Sequence, residues 1–161
     1  IPKNNDQGSF WEYREDRYHC GIDIYAPVGS EVKSIEDGTV LDIGIFTSPN
    51  KVSYWNKTKY VLIKNVNDIF YKYAELGDVT VKIKESIKAG QLIGYIGTVL
   101  NIDKIPKESP LYIQKLRENN LPSMLHLEIY NSEPKQNKMY LGGNWFGTKK
   151  PKNLMNPTNY L

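Results

Sequence analysis

His19-Cys20-Gly21-Ile22-Asp23-Ile24-Tyr25-Ala26-Pro27-Val28-Gly29 reads as a short strand running into a tight turn. Isoleucine and tyrosine favour a pleated strand, and Pro27 with its fixed φ, followed by Gly29, closes it. In a strand, residues i, i+2 and i+4 share a face, so His19 and Asp23 point the same way across Gly21, which places no side chain between them. The same period recurs in Met124-Leu125-His126-Leu127-Glu128. There Met124, His126 and Glu128 share one face, and Leu125 and Leu127 turn to the core. His19 and His126 are the chain's two histidines. An imidazole and a carboxylate on one strand, joined by an imidazole from a distant strand, make a three-ligand set with an open position, which suits catalytic Zn²⁺. Two unrelated histidines in a β protein would present the same spacing, and at this point both readings stand.

Outward from these two stretches, runs rich in Val, Ile, Thr and Tyr alternate with turn residues. This predicts a mostly-β fold, an antiparallel sheet folded on itself. Strands are expected at 19–24, 31–36, 39–46, 59–65, 69–75, 92–98 and 124–130. Glu36-Asp37-Gly38 reads as a hairpin turn, and Lys88-Ala89-Gly90-Gln91 as the turn before 92–98. A polar loop carrying Tyr54 and Trp55 fills 47–58. The one expected helix lies near 110–119, with Ser109 as N-cap and Pro110 at the first helical position. Leu111, Tyr112, Lys115 and Leu116 give it an amphipathic face, and Asn119-Asn120 with Pro122 stops it. Residues 1–17 read as a lead-in arm docking through Phe10 and Trp11, and 131–161 as a turn-rich tail wrapping the rest. No shift in composition divides 1–161, so a single domain is expected.

Composition narrows the function classes. With 161 residues, 40% of them apolar, the chain can bury one core. No apolar run approaches the ~18 residues of a membrane helix, so no membrane span is expected. Lys plus Arg number 21 against 18 Asp plus Glu, and the basic residues are scattered, which argues against a nucleic-acid partner. Cys20 is the single cysteine and cannot form an internal disulfide. Alternation turns it away from His19, as a small buried residue. The start at Ile1-Pro2-Lys3, with neither Met nor a signal-peptide apolar region, is the expectation for a mature or trimmed product.

Four blocks taken in order carry a family resemblance. They are His19 to Val32, then Glu36-Asp37-Gly38-Thr39-Val40, then Ile87-Lys88-Ala89-Gly90-Gln91-Leu92-Ile93-Gly94, and finally Leu125-His126-Leu127-Glu128. Together, from about residue 18 to 130, they resemble the M23 zinc peptidases, the lysostaphin-like and LytM-like peptidoglycan endopeptidases. The resemblance implies the lysostaphin-like, duplicated-hybrid-motif fold and Zn²⁺ held by His19, Asp23 and His126. It implies a peptidoglycan peptide or other peptide as substrate, and an extracytoplasmic location. Glu128 stands where the family commonly has a glutamate, and reads as a hydrogen-bond partner of the site and not as a ligand.

The sequence departs from the family at two positions. Tyr73-Ala74-Glu75-Leu76 stands where members carry Tyr-x-His-Leu, and Met124 replaces the first His of His-x-His. In the family these histidines orient the attacking water and stabilise the oxyanion. Glu75, expected on the strand face of Tyr71 and Tyr73, can act as general base beside a metal, as a carboxylate does in other zinc peptidases. Its plain alternative is a surface strand residue paired with Lys72 or Lys82. Met124 can neither transfer a proton nor donate to an oxyanion, which leaves Tyr73 or Tyr71 as candidate donors. Trp55, Tyr54, Trp145 and Phe146 could line a substrate groove or seal the core. Two functions follow: a zinc metallopeptidase with Glu75 as base, or a catalytically silent M23-like scaffold or regulator that binds zinc and a cell-wall or protein partner.

Overall fold

The computed structural model describes residues 1–3 and 6–161. Its first strand-forming run is split in two, β1 (Tyr18–His19) and β2 (Ile22–Tyr25), by a bend at Gly21. Next come β3 (Glu31–Lys33), β4 (Gly38–Ile45), β5 (Lys59–Lys64), β6 (Phe70–Val79), β7 (Ser86–Ile87) and β8 (Leu92–Ile96). One α-helix, α1 (Leu111–Glu118), precedes β9 (Met124–Tyr130), and the tail adds β10 (Tyr140–Leu141), β11 (Asn144–Trp145) and β12 (Leu154–Met155). The fold is mostly β and antiparallel, as the alternation predicts.

Nine strands form one sheet along the path β12-β9-β6-β5-β4-β7, with β2 on β9, β8 on β6 and β3 on β8. Strand β6 is its spine. One edge pairs with β5, while the other pairs with β9 from Phe70 to Ala74 and with β8 from Leu76 onward. Glu75 sits at the handover. Lys59 pairs with Leu76 and Tyr60 with Ala74, so Glu75 is the extra residue of a β-bulge, with φ at 66°. Strand β2 pairs with β9 through Ile22–Leu127 and Asp23–His126, which brings the two histidine-bearing stretches side by side. Gly21 makes this approach possible: a Cβ there would lie 2.2 Å from the Leu127 carbonyl oxygen.

The main core lies on one face of the sheet, where Ile22, Val40, Val61, Ile63, Tyr71, Tyr73, Leu76, Leu127 and Ile129 pack together. A second apolar cluster joins α1 to the sheet edge through Trp55, Val99, Leu100, Ile113, Leu116 and Met124. Burying each such side chain contributes about 1.5–3 kcal/mol, which holds the short helix against the sheet. Trp55 therefore packs in an apolar cluster, whereas Trp145 and Tyr140 border an open groove.

The structure corrects several details. Pro110, with ψ at 146°, takes the N-cap place and Leu111 begins the helix, while the Ser109 hydroxyl makes no hydrogen bond. Proline's extended conformation and missing N–H set that boundary without a side-chain cap. The 31–36 strand stops at Lys33, and the 69–75 strand runs on to Val79 because the bulge at Glu75 lets it change partner. The tail is partly regular: β11 pairs with β1 and β10, and β12 pairs with β9.

Candidate metal centre

The pairing of β2 with β9 brings His19, Asp23 and His126 to one point. All three are buried, and one ligand atom from each lies within 4.8 Å of the others. His19 Nε2 is 3.1 Å from Asp23 Oδ1 and 3.0 Å from His126 Nδ1, and His126 Nδ1 is 2.8 Å from Asp23 Oδ1. A tetrahedral Zn²⁺ with bonds of ~2.0–2.2 Å spaces its ligand atoms by about 3.3–3.6 Å, so the triangle is slightly contracted from one tetrahedral face.

The outward atoms fix what the inward ones can do. His19 Nδ1–H donates to the Ser9 carbonyl at 2.8 Å, and His126 Nε2–H donates to Glu128 Oε1 at 2.9 Å. Each imidazole thus spends its N–H outward and turns its second nitrogen to the centre, where it meets a carboxylate oxygen. Two imidazole nitrogens and a carboxylate oxygen converging in a buried space are a donor set that could hold a metal ion.

Without a metal, a proton takes that place. Burial alone would lower the His126 imidazole, but hydrogen bonds to Asp23 and Glu128 outweigh it and raise the group to about 9. His19 is lowered by burial and by the Arg14 charge. Burial would push the Asp23 carboxyl up, yet the imidazoles and Arg14 hold it well below the usual carboxylate range. Glu128 is likewise held low against burial by the Lys72 charge and the His126 bond. Its carboxylate also accepts from Tyr130 at 2.7 Å and Tyr140 at 2.6 Å, so the anchor behind His126 is itself anchored.

Glu75 is brought to the same place by a route the alternation does not show. Tyr71 and Tyr73 turn into the main core, and the Tyr73 hydroxyl accepts from the Ile35 amide, so neither lies at the centre. The bulge re-aims Glu75 onto the other face, where it borders a small cavity with Asp23, His126 and Met124. It is buried and pairs with neither Lys72, which bridges to Glu128, nor any other residue at Oε2. Burial, then the Asp23 charge, push Glu75 up to about 8. The cavity is about 30 Å³, room for one or two water-sized groups and none for a peptide. Trp55, Tyr112, Ile113 and Leu116 line it on the side of α1.

Residues 17–138 match Peptidase family M23. The chain belongs to this family. Among curated relatives, the glycyl-glycine endopeptidase ALE-1 of Staphylococcus capitis is 30% identical over 80 residues, 50% of this chain and 20% of that protein. Lysostaphin of Staphylococcus simulans is 30% identical over the same length, 15% of its own. The match therefore spans a fifth or less of these relatives. The structure of lysostaphin from Staphylococcus simulans superposes with a TM-score of 0.60 at 17% identity, over 98% of this chain and 50% of that one. A mutant catalytic domain of the prophage-encoded M23 protein EnpA from Enterococcus faecalis gives 0.59 at 17% identity, over 98% and 92%. These likenesses establish the lysostaphin-like M23 fold.

Three further residues of the candidate centre, Arg14, Asn144 and Gly143, carry no signal in the sequence. Arg14 Nη2 donates to Asp23 Oδ2 at 2.9 Å, and Arg14 Nη1 donates to Asn144 Oδ1 at 3.3 Å. One comes from the arm and one from the tail, and neither segment has a period that marks an inward side chain. Gly143 was equally silent: its α-carbon packs so close to His126 that a Cβ would lie 2.6 Å from the imidazole. Cys20 is buried, as expected, in the apolar cluster with Leu62, Phe70, Tyr130 and Leu154, outside the His19–Asp23–His126 group.

Proposed function

We propose that this M23 chain is a zinc-dependent metallopeptidase that hydrolyses peptide bonds of peptidoglycan cross-bridges or stem peptides outside the cytoplasm. His19, Asp23 and His126 hold the metal and Glu75 serves as general base. One observation carries the reading: both imidazoles turn one nitrogen outward, to the Ser9 carbonyl and Glu128, and their second nitrogens converge on Asp23 Oδ1. A buried triangle of two imidazole nitrogens and a carboxylate oxygen is costly unless a proton or a metal ion sits in it, and three donors from two strands converging on one point is the arrangement a metal ion uses. The names of the relatives, a glycyl-glycine endopeptidase among them, support the substrate class.

A bound Zn²⁺ supplies Lewis acidity, making water and a peptide carbonyl more reactive. Within the chain, Glu75 borders the cavity with an unpartnered oxygen and is the one free carboxyl there to accept a proton. Its raised value of about 8 belongs to the metal-free centre, and added positive charge beside it favours the ionised, basic form. Met124 contributes an apolar wall.

Met124, which can neither transfer a proton nor donate to an oxyanion, favours a second reading, a zinc-binding scaffold or regulator without hydrolysis. Purified peptidoglycan and glycine-rich peptides, incubated with the zinc-loaded chain with and without chelator, separate the two. Chelator-sensitive release of new amino termini is the result expected of the peptidase. Zinc uptake with no cleavage of any wall fragment establishes the scaffold.

A further inference from the structure

We propose that Arg14 is a positioning residue of the metal centre: by engaging Asp23 Oδ2 it restricts that carboxylate to one inward oxygen, so that a cation meets one oxygen and two nitrogens. The inference rests on the metal-binding reading above and extends it to a residue outside the family match, which begins at residue 17.

Asp23 has two oxygens and the structure divides their work. Oδ1 faces both imidazoles, at 3.1 and 2.8 Å, while Oδ2 receives Arg14 Nη2 at 2.9 Å. A carboxylate held in this way cannot turn both oxygens to one ion. The guanidinium is in turn fixed from three directions. Nε donates to Glu12 Oε2 at 2.9 Å, Nη1 reaches Asn144 Oδ1 at 3.3 Å, and the plane lies over the Tyr112 ring with Cζ 4.4 Å from its centre. Glu12 also accepts from the Gly8 amide at 3.0 Å, and the Asn144 amide donates to the Gly142 carbonyl at 3.0 Å, which points its oxygen at Arg14. Arm, helix and tail thus converge on one side chain.

Charge separates positioning from simple neutralisation. Arg14 is shared between Glu12 and Asp23, so the guanidinium leaves the Asp23 charge largely available to a cation while fixing its orientation. A planar fork with donors at set angles can do this, whereas the ammonium of lysine is a point charge on a flexible stem.

The test uses the full chain loaded with Co²⁺ or Zn²⁺. The wild type should show the intense visible absorption of four-coordinate Co²⁺. In Arg14→Gln the freed Oδ2 should raise the coordination number, weaken that absorption and lower Zn²⁺ affinity ~10–100-fold in a chelator competition. Arg14→Lys should recover part of both signals, and Arg17→Gln, on the same arm but paired with Asp16, should match the wild type. A folded Arg14→Gln with wild-type spectrum and affinity overturns the proposal. If Arg14→Gln does not fold, Glu12→Gln, which releases Nε, is measured in its place: a weakened spectrum supports the assignment and an unchanged one overturns it. A wild-type chain that takes up neither metal overturns the proposed function and this inference with it. Metal uptake with an indifferent Arg14 overturns this inference alone.

Discussion

His19 Nε2 lies 3.0 Å from His126 Nδ1, although 107 positions separate the two residues. Two imidazole nitrogens at that distance cannot both present lone pairs to empty space without repulsion, so a proton or a cation must sit between them and Asp23. The choice between proton and metal governs the pH behaviour, the stability and the chemistry of the centre.

Replacing Glu75 with Gln keeps its shape and removes its proton acceptor. Hydrolysis of a wall peptide should fall ~10²–10⁴-fold, with Zn²⁺ affinity little changed. Steady-state rates alongside a chelator competition check this, and equal rates for the two proteins would move the base elsewhere.

The chelated protein should lose stability as pH rises. The His126 imidazole is raised from 6.5 to about 9 in the folded state, so its contribution is complete below 6.5 and lost as pH climbs through about 9. The Glu75 carboxyl, raised from 4.5 to about 8, acts in the same direction: its contribution is complete below 4.5 and lost through about 8. Tm measured in chelator should therefore decline between pH 6.5 and 9, and less steeply in Glu75→Gln. A level or rising Tm over that window would contradict the assignment of the proton.

Glu128 holds the far nitrogen of His126 and is itself tied to Lys72, Tyr130 and Tyr140. Glu128→Gln removes the charge that makes the imidazole a strong ligand. Zn²⁺ affinity should fall ~10–100-fold while the fold persists, as a chelator competition and a circular dichroism spectrum would report.

Gly143 takes φ of 78° against the His126 ring, where a Cβ would come within 2.6 Å. Gly143→Ala is therefore strained twice, by its backbone and by the imidazole it displaces. Both Tm and Zn²⁺ affinity should drop. Retention of both would mean that the β10–β11 turn yields freely and does not help to seat His126.

Two pairings are legible because a strand's period fixes which residues share a face: His19 with Asp23, and His126 with Glu128, follow from spacing of two and four, while joining His19, Asp23 and His126 into one candidate ligand set is what the family resemblance implies. That the two strands lie side by side was carried by the family resemblance, since pairing across the chain leaves no local mark. Glu75 shows where alternation fails. The rule assigns it to the face of Tyr71 and Tyr73, in the core, and one extra residue at the bulge sends it to the centre instead. The helix lies within a residue or two of the expected span, but Ser109 does not cap it, because Pro110 alone sets the boundary. Arg14 and Asn144 had no legible signal at all. Their contact joins segments 130 positions apart, and only the folded arm and tail bring them to Asp23.

The most direct test is the zinc content and Tm of the purified chain beside His126→Ala and Cys20→Ala. Because the unfolded chain cannot gather ligands from positions 19 and 126, metal binding adds to folding stability. The wild type and Cys20→Ala should each bind one Zn²⁺ and melt at a lower temperature once it is chelated, whereas His126→Ala should bind none and show no response to chelator. A wild-type chain without zinc and with a Tm indifferent to it, or a His126→Ala chain that keeps both, would contradict the metal centre.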